Sequence, residues 1–498
     1  MGGSEVVLTD SGRIRGRRQD MVLVFKGIPY GNTPVGPNRF TLPQPVKPWD
    51  DVFDASKSSP IAPQPPPRPE LTMFVREQSE ADCLSLNIWT PGSDDKKRPV
   101  LFWIHGGSLL TGSNADFNGR PMATCSDVVV IAINYRLGPL GFLYVPSKTA
   151  NVGILDQVEA LKWVNRNIKF FGGDPSDVTI FGESGGGVSA LMSMPRAKGP
   201  FKRAIVESNV SNPNGLKPEN GETVAKRLFS ILGIQYGEME ALRSIPVEKL
   251  IEAYQKAIAG PIFSDTYPPF IGGDVLPVHP YEAIKKGAAK GIELLAGTNE
   301  NEGGSPSLWD PDIDKMDEKE FRKRVRYYRS ATGETEAEVR KFFKVYAGEI
   351  RADPIDSMRY AFEQFATDHF FRIPVQRYLE AQCKYQPRVY SYLFSWKTPE
   401  LGGKLGATHA LEIPFVFNTL GDNSFGIFPK KTAETDRISF NMMDAWVNFA
   451  RRGDPNHSGI LRWPAYNAKT RSTMVFDKDI RVENEPFAER NEAWKGAI

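Results

Sequence analysis

Gly182-Glu183-Ser184-Gly185-Gly186 decides how the chain reads. It follows the apolar, β-type run Val178-Thr179-Ile180-Phe181 and opens into Gly187-Val188-Ser189-Ala190, a small-residue helical start. Strand, tight turn and helix in that order are the setting of a G-x-S-x-G nucleophile elbow, whose serine hydroxyl stands clear of the sheet. Such a turn holds the serine at strained backbone angles. Glycine suits the flanking positions because a side chain there collides with neighbouring backbone.

Working outward, residues 100–104 and 128–133 are continuous apolar runs, as in strands buried on both faces. Leu84-Ser85-Leu86-Asn87-Ile88-Trp89 alternates apolar and polar, which predicts a half-buried strand. Residues 154–168 carry helical periodicity, with Ile154, Val158, Leu161, Trp163 and Val164 on the inner side. The first two hundred residues thus read as strands alternating with helices. That predicts an α/β fold with a central, mostly parallel sheet flanked by helices. Further strands are expected at 204–206, 294–296, 389–394 and 474–476. Charged amphipathic helical stretches over about 216–260 and 314–385 are expected as insertions on one domain spanning 1–498, their inner faces forming pocket walls. The proline-rich stretch 60–70 is expected as a surface loop, because proline cannot donate to a strand ladder.

Composition narrows the function. Sixty-two basic residues against 60 acidic ones leave a net charge of +2, so there is no electrostatic footprint for nucleic acid. The best apolar run, Val128-Val129-Val130-Ile131-Ala132-Ile133, is far short of the roughly 20 residues a membrane span needs. The start Met1-Gly2-Gly3-Ser4-Glu5 has no basic stretch leading into an apolar core, and Val6 stands where a myristoylation signal wants Ser or Thr. Cys83, Cys125 and Cys383 show no metal or redox spacing and suit a reducing compartment, so the expectation is a cytoplasmic protein. The triplets Asn209-Val210-Ser211 and Asn456-His457-Ser458 are expected to be chance matches to a glycosylation signal. No H-E-x-x-H, no phosphate-binding G-x-x-x-x-G-K-[ST] and no Cys/His ligand cluster occurs, so neither a metal nor another cofactor is expected.

A serine nucleophile needs a positioned base, usually histidine. Of five histidines, His279 precedes a proline, His369 sits in an aromatic helical context and His457 lies in a polar turn. His105 follows a strand and precedes two glycines. His409 follows the strand at 389–394, in the kind of loop where such sheets place chemistry. The orienting acid should fall between Ser184 and His409 in chain order. Glu300 and Glu302, just after the strand at 294–296, both qualify. Donors for an oxyanion are expected from His105-Gly106-Gly107-Ser108, an HGG-type loop after the strand at 100–104.

These residues together resemble the type-B carboxylesterases, the carboxylesterase–cholinesterase family of α/β-hydrolases, over nearly the whole chain. Phe25-Lys26-Gly27-Ile28-Pro29-Tyr30, Arg39-Phe40, Asp82-Cys83-Leu84-Ser85-Leu86-Asn87-Ile88-Trp89 and Asn134-Tyr135-Arg136-Leu137-Gly138 match its patterns. So do Asp156-Gln157, Phe171-Gly172-Gly173-Asp174-Pro175, the stretch 446–453 and Trp463-Pro464-Ala465-Tyr466. The resemblance implies Ser184 as nucleophile, His409 as base and Glu302 as acid, from N-x-x-E-G at Asn299-Glu300-Asn301-Glu302-Gly303. It implies the backbone N–H groups of Gly107, Ser108 and Gly185 as the oxyanion hole.

Four departures stand out. Ser108 and Leu109 replace a usual glycine and phenylalanine, and Gly185 replaces a usual alanine. Ala81 replaces a usual glutamate, which implies that Arg39 loses an ion pair. Ala62-Pro63-Gln64 stands where secreted members carry the cysteine that pairs with the one at Cys83. The expected protein is a cofactor-free serine esterase, monomer or homodimer, working through an acyl-enzyme on uncharged short- to medium-chain carboxylic esters. Leu109, Leu110 and Phe415 are its candidate substrate-binding residues. Its alternative is a catalytically silent or narrow-specificity member that acts as a binding protein, against which the intact triad argues. Cholinesterase-like specificity is disfavoured because the loop at 65–80 holds no tryptophan for a quaternary ammonium, although it does hold Phe74.

Overall fold

The computed structural model describes residues 4–66, 76–194, 199–209, 217–258, 267–304, 310, 312–329, 335–348, 354–421 and 429–497. Phe74, Val210 and Ser211 fall outside these. The chain opens with antiparallel strands β1 (Ser4–Leu8), β2 (Arg13–Gln19) and β3 (Val22–Pro29), with the short β4 (Val52–Asp54) alongside β2. There follow β5 (Ser85–Thr90), β6 (Arg98–Ile104), β7 (Val129–Ile133), β8 (Gly173–Glu183) and β9 (Arg203–Glu207). The last are β10 (Glu293–Asn299), β11 (Val389–Phe394), β12 (Ser472–Phe476) and β13 (Arg481–Asn484). All thirteen form one sheet, in the order β1-β2-β3-β5-β7-β6-β8-β9-β10-β11-β12-β13 with β4 on β2. From β7 to β12 every pairing is parallel.

Helices cover both faces. On one face Val152–Asn167 buries Ile154, Val158, Leu161, Trp163 and Val164 in the main core, as its periodicity predicts. On the other, Arg120–Ser126 and Ala433–Arg452 bury Met122, Ile438, Met442 and Trp446 against Leu101, Trp103, Phe181 and Ile205. The continuous apolar runs of β6 and β7 follow from this, since both of their faces are dry.

Several expectations need correction. No α-helix occurs among the described residues before Arg120, so the opening is an antiparallel meander and not an alternation of strand and helix. β5 is buried along its whole length. Its polar face is covered because Asn87 Oδ1 accepts the Gly27 N–H at 2.9 Å and Ser85 O accepts the Asn134 N–H at 2.9 Å. In the proline-rich stretch, Ile61 and Ala62 are buried, and Ile61 bridges to Gln78. Within 314–385, the helix Ile373–Gln382 packs Val375, Tyr378 and Leu379 into the main core and belongs to the layer on the sheet. Arg39 does have a carboxylate: Glu80 lies one residue upstream of the substituted position, and its Oε1 accepts from Arg39 Nε at 2.6 Å. Arg39 also donates to the carbonyls of Arg243 and Ile245, tying the opening segment to the helices at 239–257.

One buried ion pair braces the centre. Arg136 and Asp156, 1% and 0% exposed, meet through two bonds of 2.8 and 2.7 Å, and Asp156 Oδ2 also accepts the Arg136 backbone N–H at 3.0 Å. Removing one member of such a pair strands a buried charge. Asp156→Ala is expected to lose about 3–5 kcal/mol of unfolding free energy, measured by urea denaturation. A loss below about 1 kcal/mol, the range of exposed pairs, contradicts this bracing role.

Candidate active site

The reversal of strand order around β6 builds the site. The chain leaves β6 for β7 on one side and reaches β8 on the other, which is where open sheets of this kind place their crevice. Ile104 pairs with Gly182, so the loop after β6 and the turn after β8 emerge side by side. Ser184 sits on that turn at φ +52°, the left-handed region, with its N–H bonded to Glu207 O at 2.9 Å. The closeness explains two glycines: a Cβ on Gly182 or Gly186 lies 2.5 or 2.6 Å from Ile104 O. Across the crevice, Gly107, Ser108 and Leu109 all take positive φ, at +99°, +55° and +61°. Among the described residues, no protein acceptor takes the N–H groups of Gly107, Ser108 or Gly185.

The remaining two members arrive on the loops after β10 and β11. His409 Nε2 lies 2.9 Å from Ser184 Oγ, and its Nδ1 lies 2.6 Å from Glu302 Oε2. Glu302 is fully buried, and its Oε1 accepts the Asn299 N–H at 2.7 Å. Glu300, the other acid in the same turn, faces outward to Lys397 Nζ at 3.2 Å. Asn301 stitches the two loops together, its N–H donating to Ala407 O at 3.0 Å and its Oδ1 accepting from Ala407 N at 2.9 Å. Asn299 Nδ2 donates to Thr408 O at 2.7 Å and to Glu412 Oε2 at 2.5 Å. The Phe371 ring packs on His409 with centroids 4.7 Å apart.

The other histidines are committed elsewhere. The His105 ring stacks on Tyr135, and burial depresses its pKa to about 4. His279 caps the helix Pro280–Lys285, accepting the Tyr281 N–H at 3.1 Å. His369 is buried against the rings of Phe365 and Trp494, where burial holds its pKa at about 3. His457 Nε2 lies 3.1 Å from Asn441 O in its turn, and the neighbouring Asn456 donates to Trp463 O.

Sequence patterns did not foretell the carboxyl groups packed beneath the triad. Glu183, Glu207 and Glu412 are all buried, at 4%, 0% and 0% exposure. Glu183 Oε1 lies 3.1 Å from His409 Nε2. Trp446 Nε1 donates to Glu207 Oε1 at 2.7 Å. Burial pushes Glu183 up to about 8 and Glu412 up to about 7, and holds Glu207 well above the carboxylate range. Burial opposes a charge on His409, but Glu183 first, then Glu302 and Glu412, outweigh it and raise the imidazole to about 9. Glu183 stood in the elbow motif itself, the one signal that was there to read.

The candidate pocket residues divide. Leu110 is half-buried against Leu140, Tyr144, Leu228 and Phe270, in the cluster formed with the helices Pro218–Ile231 and Val247–Ala257. Leu109 is buried in the main core. Phe415 is fully buried and packs on Phe394 and Trp396 at 5.0 and 5.4 Å, in the core on one face of the sheet. Among the described residues, no group of three or more His, Cys, Asp or Glu side chains is arranged to hold a metal ion. No described helix is long and apolar enough to cross a membrane.

Known proteins share this architecture. A family model described as the carboxylesterase family matches residues 3–494. The para-nitrobenzyl esterase of Bacillus subtilis is 36% identical over 98% of both chains, and the phenmedipham hydrolase of Pseudarthrobacter oxydans is 34% identical over 94% of both. A crystallised carboxylesterase of Geobacillus stearothermophilus superposes with a TM-score of 0.87 at 39% identity, covering 98% of this chain and 99% of its own. The chain accordingly belongs to the carboxylesterase family, has the α/β-hydrolase fold and is a hydrolase of carboxylic esters.

Proposed function

We propose that Ser184 is the nucleophile of this hydrolase, His409 its general base and acid, and Glu302 the group that orients His409. The observation that carries this is the continuous chain from Ser184 Oγ to His409 Nε2 at 2.9 Å and from His409 Nδ1 to Glu302 Oε2 at 2.6 Å. Ser184 Oγ attacks the ester carbonyl as its proton passes to His409 Nε2. Glu302 holds the ring in the tautomer that presents Nε2 and steadies the imidazolium that forms. The oxyanion rests on the unclaimed N–H groups of Gly107, Ser108 and Gly185. His409 returns the proton to the departing alcohol, leaving the acyl group on Ser184. Water, activated by the same imidazole, then releases the acid.

The substrates we propose are uncharged short- to medium-chain esters, because the wall beside Leu110 is apolar. A cytoplasmic location fits three cysteines that form no disulfide. The unbroken sheet supports one domain over the whole chain, with helices at 218–257 and 318–367 as additions to it.

Hydrolysis of p-nitrophenyl esters from acetate to palmitate is expected to peak at the short chains. Ser184→Ala is expected to lower kcat by roughly 10⁵-fold or more, since triad members act as a unit. Turnover near the wild-type rate in that variant rejects the assignment. The pH profile carries a second expectation. A base works when unprotonated, so a raised His409 pKa moves the rising limb of kcat/KM to higher pH. Glu183→Gln removes the foremost of the contributions that raise it, and the limb is expected to shift toward lower pH. A limb that stays in place shows that Glu183 is not what sets the ionisation of the base.

A further inference from the structure

Two of the four departures from the family pattern touch each other. A Cβ built on Gly185 lies 3.0 Å from Leu109 N and 3.1 Å from both Ser108 N and Ser108 Cα. All three are main-chain atoms, so no side chain can rotate out of the way. They belong to the turn whose N–H groups are left unclaimed in the crevice. The turn is closed internally, since the N–H groups of Leu110 and Thr111 both bond to Gly107 O at 3.0 Å, and it is tied to the segment after β7 by Leu109 O, which accepts the Gly138 N–H at 2.8 Å. It cannot adjust easily by rotation. Ser108 and Leu109 are consecutive residues with side chains in the left-handed region, a narrow basin for any residue with a Cβ.

We infer that Ser108 and Gly185 form a coupled positioning pair, in which the missing Cβ of Gly185 leaves the space that a serine-bearing oxyanion turn requires. This rests on the proposed role of that turn as the oxyanion hole. The main chain of Ser108 and Leu109 lies 3.0–3.1 Å from the Cβ that an alanine at 185 would add, so it must give by a few tenths of an ångström. A glycine at 108 has the wide left-handed basin needed to yield a few tenths of an ångström, and a serine does not. The two residues therefore set the distance between donors and nucleophile jointly. The effect of either substitution depends on the identity of the other.

The test is a double-mutant cycle of wild type, Ser108→Gly, Gly185→Ala and the double variant. The readouts are kcat and KM on p-nitrophenyl acetate and the affinity for a trifluoromethyl ketone, whose adduct with a serine carries the tetrahedral oxyanion. Gly185→Ala is expected to lower kcat by about 10²-fold, the effect of losing one oxyanion donor, with KM little changed and ketone affinity falling in parallel. The double variant is expected to recover at least about tenfold over Gly185→Ala, a coupling within the range for residues in contact. Ser108→Ala, which keeps the Cβ, is expected to give no recovery. Where Gly185→Ala alone does not fold, return of folded, active protein in the double variant supports the same coupling. Additive losses, full activity in Gly185→Ala, or recovery by Ser108→Ala as good as by Ser108→Gly overturn the inference. Ser184→Ala in the same assay separates the two proposals. Turnover near the wild-type rate there removes the triad assignment, whereas additivity beside a Ser184→Ala that has lost its activity removes only the pairing.

Discussion

The parallel pairing of β6 with β8 is the constraint on which the rest of the molecule depends. It places Ile104 opposite Gly182, so two loops about eighty residues apart in the chain leave the sheet as neighbours. Everything at the site then follows from how little room separates them. Ser184 and Ser108 both adopt left-handed backbone, and Gly182, Gly185 and Gly186 all face main-chain atoms where a Cβ would lie. A buried sheet with dry helices on both sides supplies the rigidity that holds this strained geometry in place.

Burial also shapes the electrostatics. Glu183, Glu302 and Glu412 surround one imidazole, that of His409, and Glu207 packs behind Glu183 and Glu412. Burial favours the protonated forms of Glu183, Glu207 and Glu412, while the carboxyls next to His409 favour its charged form. The two tendencies act on a shared proton population, so the ionisation of His409 belongs to the cluster and not to one residue. Both oxygens of Glu302 have donors, the Asn299 N–H and His409 Nδ1.

A second layer holds the loops that carry Glu302 and His409. Arg372 donates to Glu300 O at 2.9 Å, and Thr367 Oγ1 accepts the Gly303 N–H at 3.0 Å. Between them runs the π-helical turn Asp368–Arg372, which carries Phe371 onto the His409 ring. Such turns recur at functional sites because the extra residue redirects side chains. The C-terminal segment braces the turn in its own way: Trp494 stacks on His369 and donates to Tyr346 Oη, which donates in turn to Asp368.

Local chemistry made part of this legible in the chain. The glycine-flanked Ser184 after an apolar run, the continuous apolar β6 and β7, and the helical spacing at 154–168 each express a backbone requirement over a few adjacent residues. The family resemblance reached further, to His409 and Glu302, whose motifs survive as short patterns. Three-dimensional proximity decided the rest. No pattern distinguishes the Phe415 ring in the core from one in a pocket, or reveals that Glu80 takes over a role expected one residue later. Nor does any show that Glu183, Glu207 and Glu412 converge beneath the triad, because each belongs to a different segment. The sequence by itself determined the strands from β5 to β12 and the elbow and, through the family resemblance, the candidate triad. Only the tertiary structure decided which charges are buried together and which main-chain atoms fill the space beside Gly185, because both depend on contacts between segments far apart in the chain.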